Sequence, residues 1–368
     1  MTDVGDVDDA LAACAAYGVP TSNRLPNAPL SGETFTSLVA QAEHHRVLGF
    51  LGAAVRDGAL VADSDQRAEL EEKLERWLAH TLRVEALLLA TIEELQRAGI
   101  DHRVFKGVAL ANTVYEEPSL RVFADVDVLV PSSKFSVAAS LLAAALGTHR
   151  SVPELRPGFD SRFGREAMLR SDTGLELDVH RTFVDGAYGL TVELDDLFVE
   201  PRVFALGGRD VATLPPPHQL LSSCYSAALS DWPARLAAQR DVVQLIQMGG
   251  PSADDVLDLA RRWRAEPVVA TAVSQAWAAL EPQFTPPLVE WARNYAPGVF
   301  DRVLLASYRG AARGLTTQAA GVLVLPGIGD KLAYLRAIAM PQRAYLERRG
   351  LSSGDHWRRG LARLRQHR

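Results

Sequence analysis

The sequence predicts an α+β protein: a small αβ core over residues 100–215, between mostly helical stretches at 1–99 and 216–368. Three observations predict it. Apolar residues recur at intervals of three and four through most of the first 99 positions, the period of an amphipathic helix. From about residue 100 the apolar runs shorten to strand length and alternate with polar side chains. After Pro217 the helical period returns, punctuated by Pro and Gly.

Taken in order, residues 6–17 form a short helix with Asp6, Asp8 and Asp9 in the first turn, where the helix dipole favours acids. Residues 18–32 carry Pro20, Pro26 and Pro29 and read as loop. A helix follows over 33–48, with Phe35, Leu38, Val39, Ala42 and Val47 on one face. A long helix covers 64–98. Ser64 is its expected N-cap, Leu70, Leu74, Trp77, Leu88 and Ile92 mark its apolar side, and Gly99 ends it. A short strand at 102–105 runs into Lys106-Gly107, a small-residue helix, a turn at Pro118 and a second strand at 125–130. Ser132 and Ser133 are expected to cap a helix reaching Leu146. Strands are expected at 166–170, 175–181, 202–206 and 210–214, and helices at 219–229, 233–248, 253–264 and 267–280. More helices separated by Pro and Gly complete the chain, with no repeat of fixed period.

The chemistry gathers on two strands. Strand side chains alternate faces, so Asp125 and Asp127 point the same way and Val126, Val128 and Val130 the other. Asp178 comes 51 positions after Asp127, on a strand with Leu175, Leu177 and Val179 on one face and Glu176, Asp178 and His180 on the other. Neighbouring strands in one sheet would bring the three aspartates together. Clustered carboxylates are costly unless a positive charge lies among them, and Mg²⁺ binds through one or two carboxylates plus substrate phosphates. Such a group suits in-line attack on a phosphoryl centre. Lys106-Gly107, opening a helix, offers a cation and backbone N–H groups to phosphates, and Arg121 could contact phosphate oxygens bidentately. His180 either orients or deprotonates an acceptor, or is a hydrogen-bonded histidine at a domain seam. A D-x-D strand also fits an exposed edge or a salt bridge; the ordered set carries the argument.

Those residues resemble the uncharacterised nucleotidyltransferase family of the DNA polymerase β-like superfamily. Its pattern is matched by Lys106-Gly107, Ala109-Leu110, Tyr115, Arg121, Asp125-Val126-Asp127-Val128-Leu129-Val130 and Leu177-Asp178-Val179-His180. His45-Arg46-Val47, Leu214-Pro215, His218-Gln219-Leu220-Leu221 and Arg240-Asp241 resemble the flanking helical parts. The resemblance implies a polymerase β-like palm and transfer of a nucleoside monophosphate from an NTP to an acceptor, releasing pyrophosphate. By it, Asp125, Asp127 and Asp178 bind Mg²⁺, with Mn²⁺ the alternative ion, and Asp178 helps activate the acceptor. Lys106 and Gly107 stand where the superfamily places its phosphate loop.

Composition narrows the partners. A net charge of −6 is against general nucleic-acid binding, so a small-molecule or peptide acceptor is expected rather than a long polynucleotide. Two cysteines, Cys14 and Cys224, are too few for a zinc cluster or a disulfide framework. With an acidic start unlike a secretory signal, they point to the cytoplasm. No apolar run reaches the roughly 20 residues of a membrane span. From Gln342 the chain turns basic, with Trp357, Leu361 and Leu364 as an apolar stripe, which fits a docked surface helix or one touching membrane, RNA or a phosphorylated acceptor. Two further readings use the same residues: a metal-dependent glycosyltransferase with a nucleotide-sugar donor, and a non-catalytic relative that binds a nucleotide or a partner protein.

Overall fold

The computed structural model describes residues 4–310 and 313–350, and the side chains from residue 7. The expected α+β architecture is present. Four helices come first: α1 (Val4–Ala15), α2 (Gly32–His44), α3 (Leu48–Arg56) and α4 (Ser64–Arg97). The sheet segment contains β1 (Arg103–Val104), α5 (Gly107–Thr113), β2 (Asp125–Leu129), α6 (Phe135–Ala145), β3 (Thr148–Arg150) and α7 (Phe159–Arg162). It continues with β4 (Glu166–Ser171), β5 (Glu176–His180), α8 (Ala187–Leu190), β6 (Arg202–Leu206) and β7 (Arg209–Thr213). Helices then follow as α9 (Pro216–Tyr225), α10 (Leu236–Gln247), α11 (Ala253–Arg262), α12 (Glu266–Leu280) and α13 (Pro287–Asn294). The last are α14 (Val299–Ala306), α15 (Arg313–Val324), α16 (Ile328–Ala339) and α17 (Arg343–Arg348). Most of the basic tail read from the sequence, residues 351–368, lies outside the described residues.

The seven strands form one mixed sheet in the order β3-β4-β5-β2-β1-β7-β6. β2 and β5 lie side by side and parallel near its middle, in a register that sets Asp127 opposite Asp178. Val126, Val128 and Val130 are fully buried against α4 and α6, in a core with Val84, Leu88 and Ile92. On the other face, Phe105 and Leu129 join a larger core built from α1–α3 and α9–α12. The aspartates therefore lie on the sheet face turned toward the helices that flank the core in sequence.

Several local expectations are corrected. The helix expected over 33–48 ends at His44, because Arg46 adopts φ +59° and turns the chain into α3. No Gly or Pro marks that break. The N-cap of α4 is Asp63, not Ser64: its carboxylate accepts from the backbone of Asp65 and Gln66, and Gln66 returns the bond to close a capping box. The helix expected from Ser132 starts at Phe135 without a side-chain cap. β3, three residues long, was not expected, since so short an edge strand shows no alternation of its own.

Candidate active site

The site is built where β2 and β5 run in parallel. Asp127 Oδ1 accepts from Lys106 Nζ at 2.8 Å and from His180 Nε2 at 2.7 Å. Burial alone would raise the Asp127 carboxyl, but Lys106 and the His180 hydrogen bond hold it well below the usual carboxylate range. Asp178 has no such partner: its Oδ1 is buried without a hydrogen bond among the described residues. Burial first, then repulsion from Asp127 and Asp125, pushes its carboxyl up to about 7. Burial, then Asp127, also raises Asp125, which stands at the rim, 22% exposed, with Arg46 Nη1 3.6 Å from its Oδ1.

His180 is fully buried, edge-on to Phe105 at 4.8 Å between ring centroids. Burial lowers its imidazole to about 3, so it is neutral and donates from Nε2 to Asp127. Its Nδ1 lies 3.4 Å from Glu166 Oε2.

Lys106 is held in an uncommon backbone conformation, φ +54° and ψ −136°, which aims its ammonium into the carboxylates. Gly107 is required by space, since a Cβ there would meet Phe123 Cβ at 2.6 Å.

The structure thus groups Lys106, Asp127, Asp178 and His180, with Asp125 beside them. It does not bring the Arg121 guanidinium into the open. Arg121 is 7% exposed; its Nε and Nη2 donate to Asp241 and its Nη1 to Val122 O. Tyr115 donates to the same Asp241 carboxylate at 2.7 Å. The tyrosine and arginine of the sequence pattern thereby tie the approach to β2 onto α10. Arg240 is also buried in packing, donating to the carbonyls of Ala15 and Tyr17. Sequence reasoning did not single out Arg46 as a site residue. The helix break that presents it is pinned to the start of α10, where the amides of Leu236 and Ala237 donate to His45 Nδ1 and His45 O.

The donor set fits a divalent cation. One ligand atom from each of Asp127, Asp178 and His180 lies within 4.8 Å of the other two, and a buried Asp178 oxygen lacks a partner. His180 completes this compact group while its Nε2–H is given to Asp127, and Asp125 stands beside the group at the rim.

A mixed sheet carrying aspartates paired across central parallel strands, with a lysine and an arginine beside them, has the parts of a nucleotidyl-transfer enzyme. A family model described as "uncharacterised nucleotidyltransferase" matches residues 31–279, and the chain belongs to that family. Among solved structures, the chain is similar to the antibiotic-resistance factor ANT(2'')-Ia, determined in solution. There the identity is 16% and the TM-score 0.32, over 55% of this chain and 96% of that one. It is also similar to an antigenic nucleotidyltransferase-like protein from Paracoccidioides brasiliensis, at 17% identity and a TM-score of 0.34, over 54% of this chain and 94% of that one. No curated protein matches.

Proposed function

We propose that the protein transfers a nucleoside monophosphate from an NTP to a small-molecule or peptide acceptor. The observation that carries this is the in-register pairing of Asp127 with Asp178 on parallel strands, with Lys106 and Arg46 next to them. Asp125, Asp127 and Asp178 would hold Mg²⁺, or Mn²⁺ in its place, with His180 hydrogen-bonded to Asp127. Bound there, the metal supplies charge neutralisation for the triphosphate and for the departing pyrophosphate.

The chain's own groups do the rest. Lys106 and Arg46, 22% and 26% exposed in their side chains, meet the phosphate oxygens at the rim. His180 fixes the Asp127 carboxylate. The acceptor O–H or N–H gives its proton to Asp178. Its oxygen or nitrogen bonds to the α-phosphorus as the bond from that phosphorus to the pyrophosphate oxygen breaks. The overall charge of −6 favours a small or peptide acceptor over a polynucleotide. A cytoplasmic setting fits the two free cysteines, Cys14 and Cys224, both buried.

The test is to follow label from each NTP, placed at the α- or the γ-phosphate, into metabolite-extract acceptors, with Mg²⁺ or with EDTA. The expected result is Mg²⁺-dependent transfer of α-label, lost in Asp178→Asn. Transfer of γ-label only, or transfer of the sugar from UDP-glucose, would overturn it.

A further inference from the structure

α4 spans two cores. Leu70 belongs to the core of the flanking helices, Val84, Leu88 and Ile92 to the core beneath the sheet, and no residue of α4 from 71 to 83 is buried. Lys73, Trp77 and His80 tie that stretch to Glu43 and Ala124 O, and beside it lies a groove of about 680 Å³, within the range of small-molecule sites. One wall is a single face of α4 carrying Leu74, Trp77, Leu78 and Leu82. The facing wall is small, formed by Gly49, Gly52 and Ala53 of α3 and the segment from Pro118 to Phe123. Leu78 and Leu82 are each 58% exposed into this hollow, an unusual cost for two leucines one turn apart.

The charges of the groove are unbalanced. Arg56 is engaged by Asp57 and Glu117, and Arg121 by Asp241. Glu71, Glu75 and Glu85 share the groove face of α4, and among the described residues none of them has a hydrogen-bonding or ionic partner. That leaves three carboxylates against the single Arg67, whose Nε is spent on Ala62 O. Burial raises the Glu85 carboxyl, the mark of an acid short of a counter-charge. The Trp77 ring on the same wall adds a face that attracts cations.

We propose that this groove binds a small amphipathic cation, an amine on an aliphatic or aromatic body. The ammonium meets Glu85, and the body runs back along α4 over Leu82 and Leu78, about 10 Å at 1.5 Å per residue. The groove is linked to the reaction centre through Phe123. Phe123 lines the groove and packs on Gly107, next to Lys106 of the carboxylate cluster. On the nucleotidyl-transfer reading, the occupant is the acceptor.

The test uses octylamine, octanol and octanoate, titrated into the full chain without nucleotide or metal and followed by calorimetry. Octylamine is expected to bind at least tenfold more tightly than octanol, and octanoate more weakly than either. Glu85→Gln is expected to remove the preference for the amine while leaving octanol binding intact, which also shows that the variant is folded. Equal binding of octanoate and octylamine, or binding of neither, would overturn the proposal. So would wild-type self-association abolished by Leu78→Arg, since a second copy would then cover the groove. Because nucleotide and metal are absent, failure here leaves metal-dependent NTP binding untouched, and failure of NTP binding leaves this result standing.

Discussion

Asp178 is a carboxylate that its surroundings disfavour, buried, without a hydrogen bond at Oδ1 and facing Asp127 across the register. Folding tolerates such a group at a stability cost when function needs it. Asp178→Asn removes the repelled charge and should leave the melting temperature unchanged or raised, while lowering turnover by about 10²–10⁴ if it takes the acceptor proton. Thermal melts and steady-state rates check the two halves separately. Arg46 makes a second case. Its φ of +59° suits glycine better than arginine, so Arg46→Gly should cost the fold nothing. On the proposed role of Arg46 at the phosphates, losing a charge-assisted bond of about 1.5–3 kcal/mol should weaken NTP binding by about 10–100-fold. Paired urea melts and nucleotide titrations read this out; a loss of stability with unchanged binding would make Arg46 merely structural.

At the scale of elements, the loop before β2 is joined to α10 by Tyr115 and Arg121 converging on Asp241, all three buried. Removing one partner strands buried charge. Asp241→Ala should destabilise by about 3–5 kcal/mol in urea melts, whereas Arg121→Met/Asp241→Leu should recover most of that loss. The same elements show what the sequence made legible. Period-two alternation placed Asp125 and Asp127 on one face of β2 and Asp178 and His180 on one face of β5, and both strands are there. That β2 and β5 are neighbours was a condition the sequence could state and only the sheet could meet. Arg121 illustrates the limit: four residues before Asp125, it looked available to phosphate, and its partner Asp241 lies 120 positions away. Arg46 stayed hidden because its turn contains neither Gly nor Pro and is held by His45 contacts to α10.

Across the whole molecule, α1–α3 and α9–α12 share one core on the sheet face that carries the aspartates, α4 and α5 reach from it to the core beneath the sheet, and α16 packs in a third cluster with Phe159 and Phe163. Among the described residues no helix is long and apolar enough to cross a membrane. The packing of α9 against α11 buries His218 beside the Trp263 ring, and burial lowers its imidazole from 6.5 to about 4, with Asp196 opposing and Arg262 assisting. Between those values the unfolded chain binds a proton that the folded chain does not, so His218 makes stability fall as pH drops from 6.5 towards 4. Asp160, raised to about 6, acts in the opposite direction, so the contribution is read as a difference. Urea melts should show the stability of wild type, relative to His218→Gln, falling as pH drops from above 6.5 to 4; a difference that does not change with pH would contradict this.

Calorimetric titration of each NTP into wild type and Asp127→Asn, with Mg²⁺ and with EDTA, decides whether the paired aspartates form a metal-dependent NTP site. Binding is expected to need Mg²⁺, to prefer one base or a few, and to disappear in Asp127→Asn while the variant melts cooperatively. Equal binding in EDTA, or a folded Asp127→Asn that binds as wild type does, would contradict it.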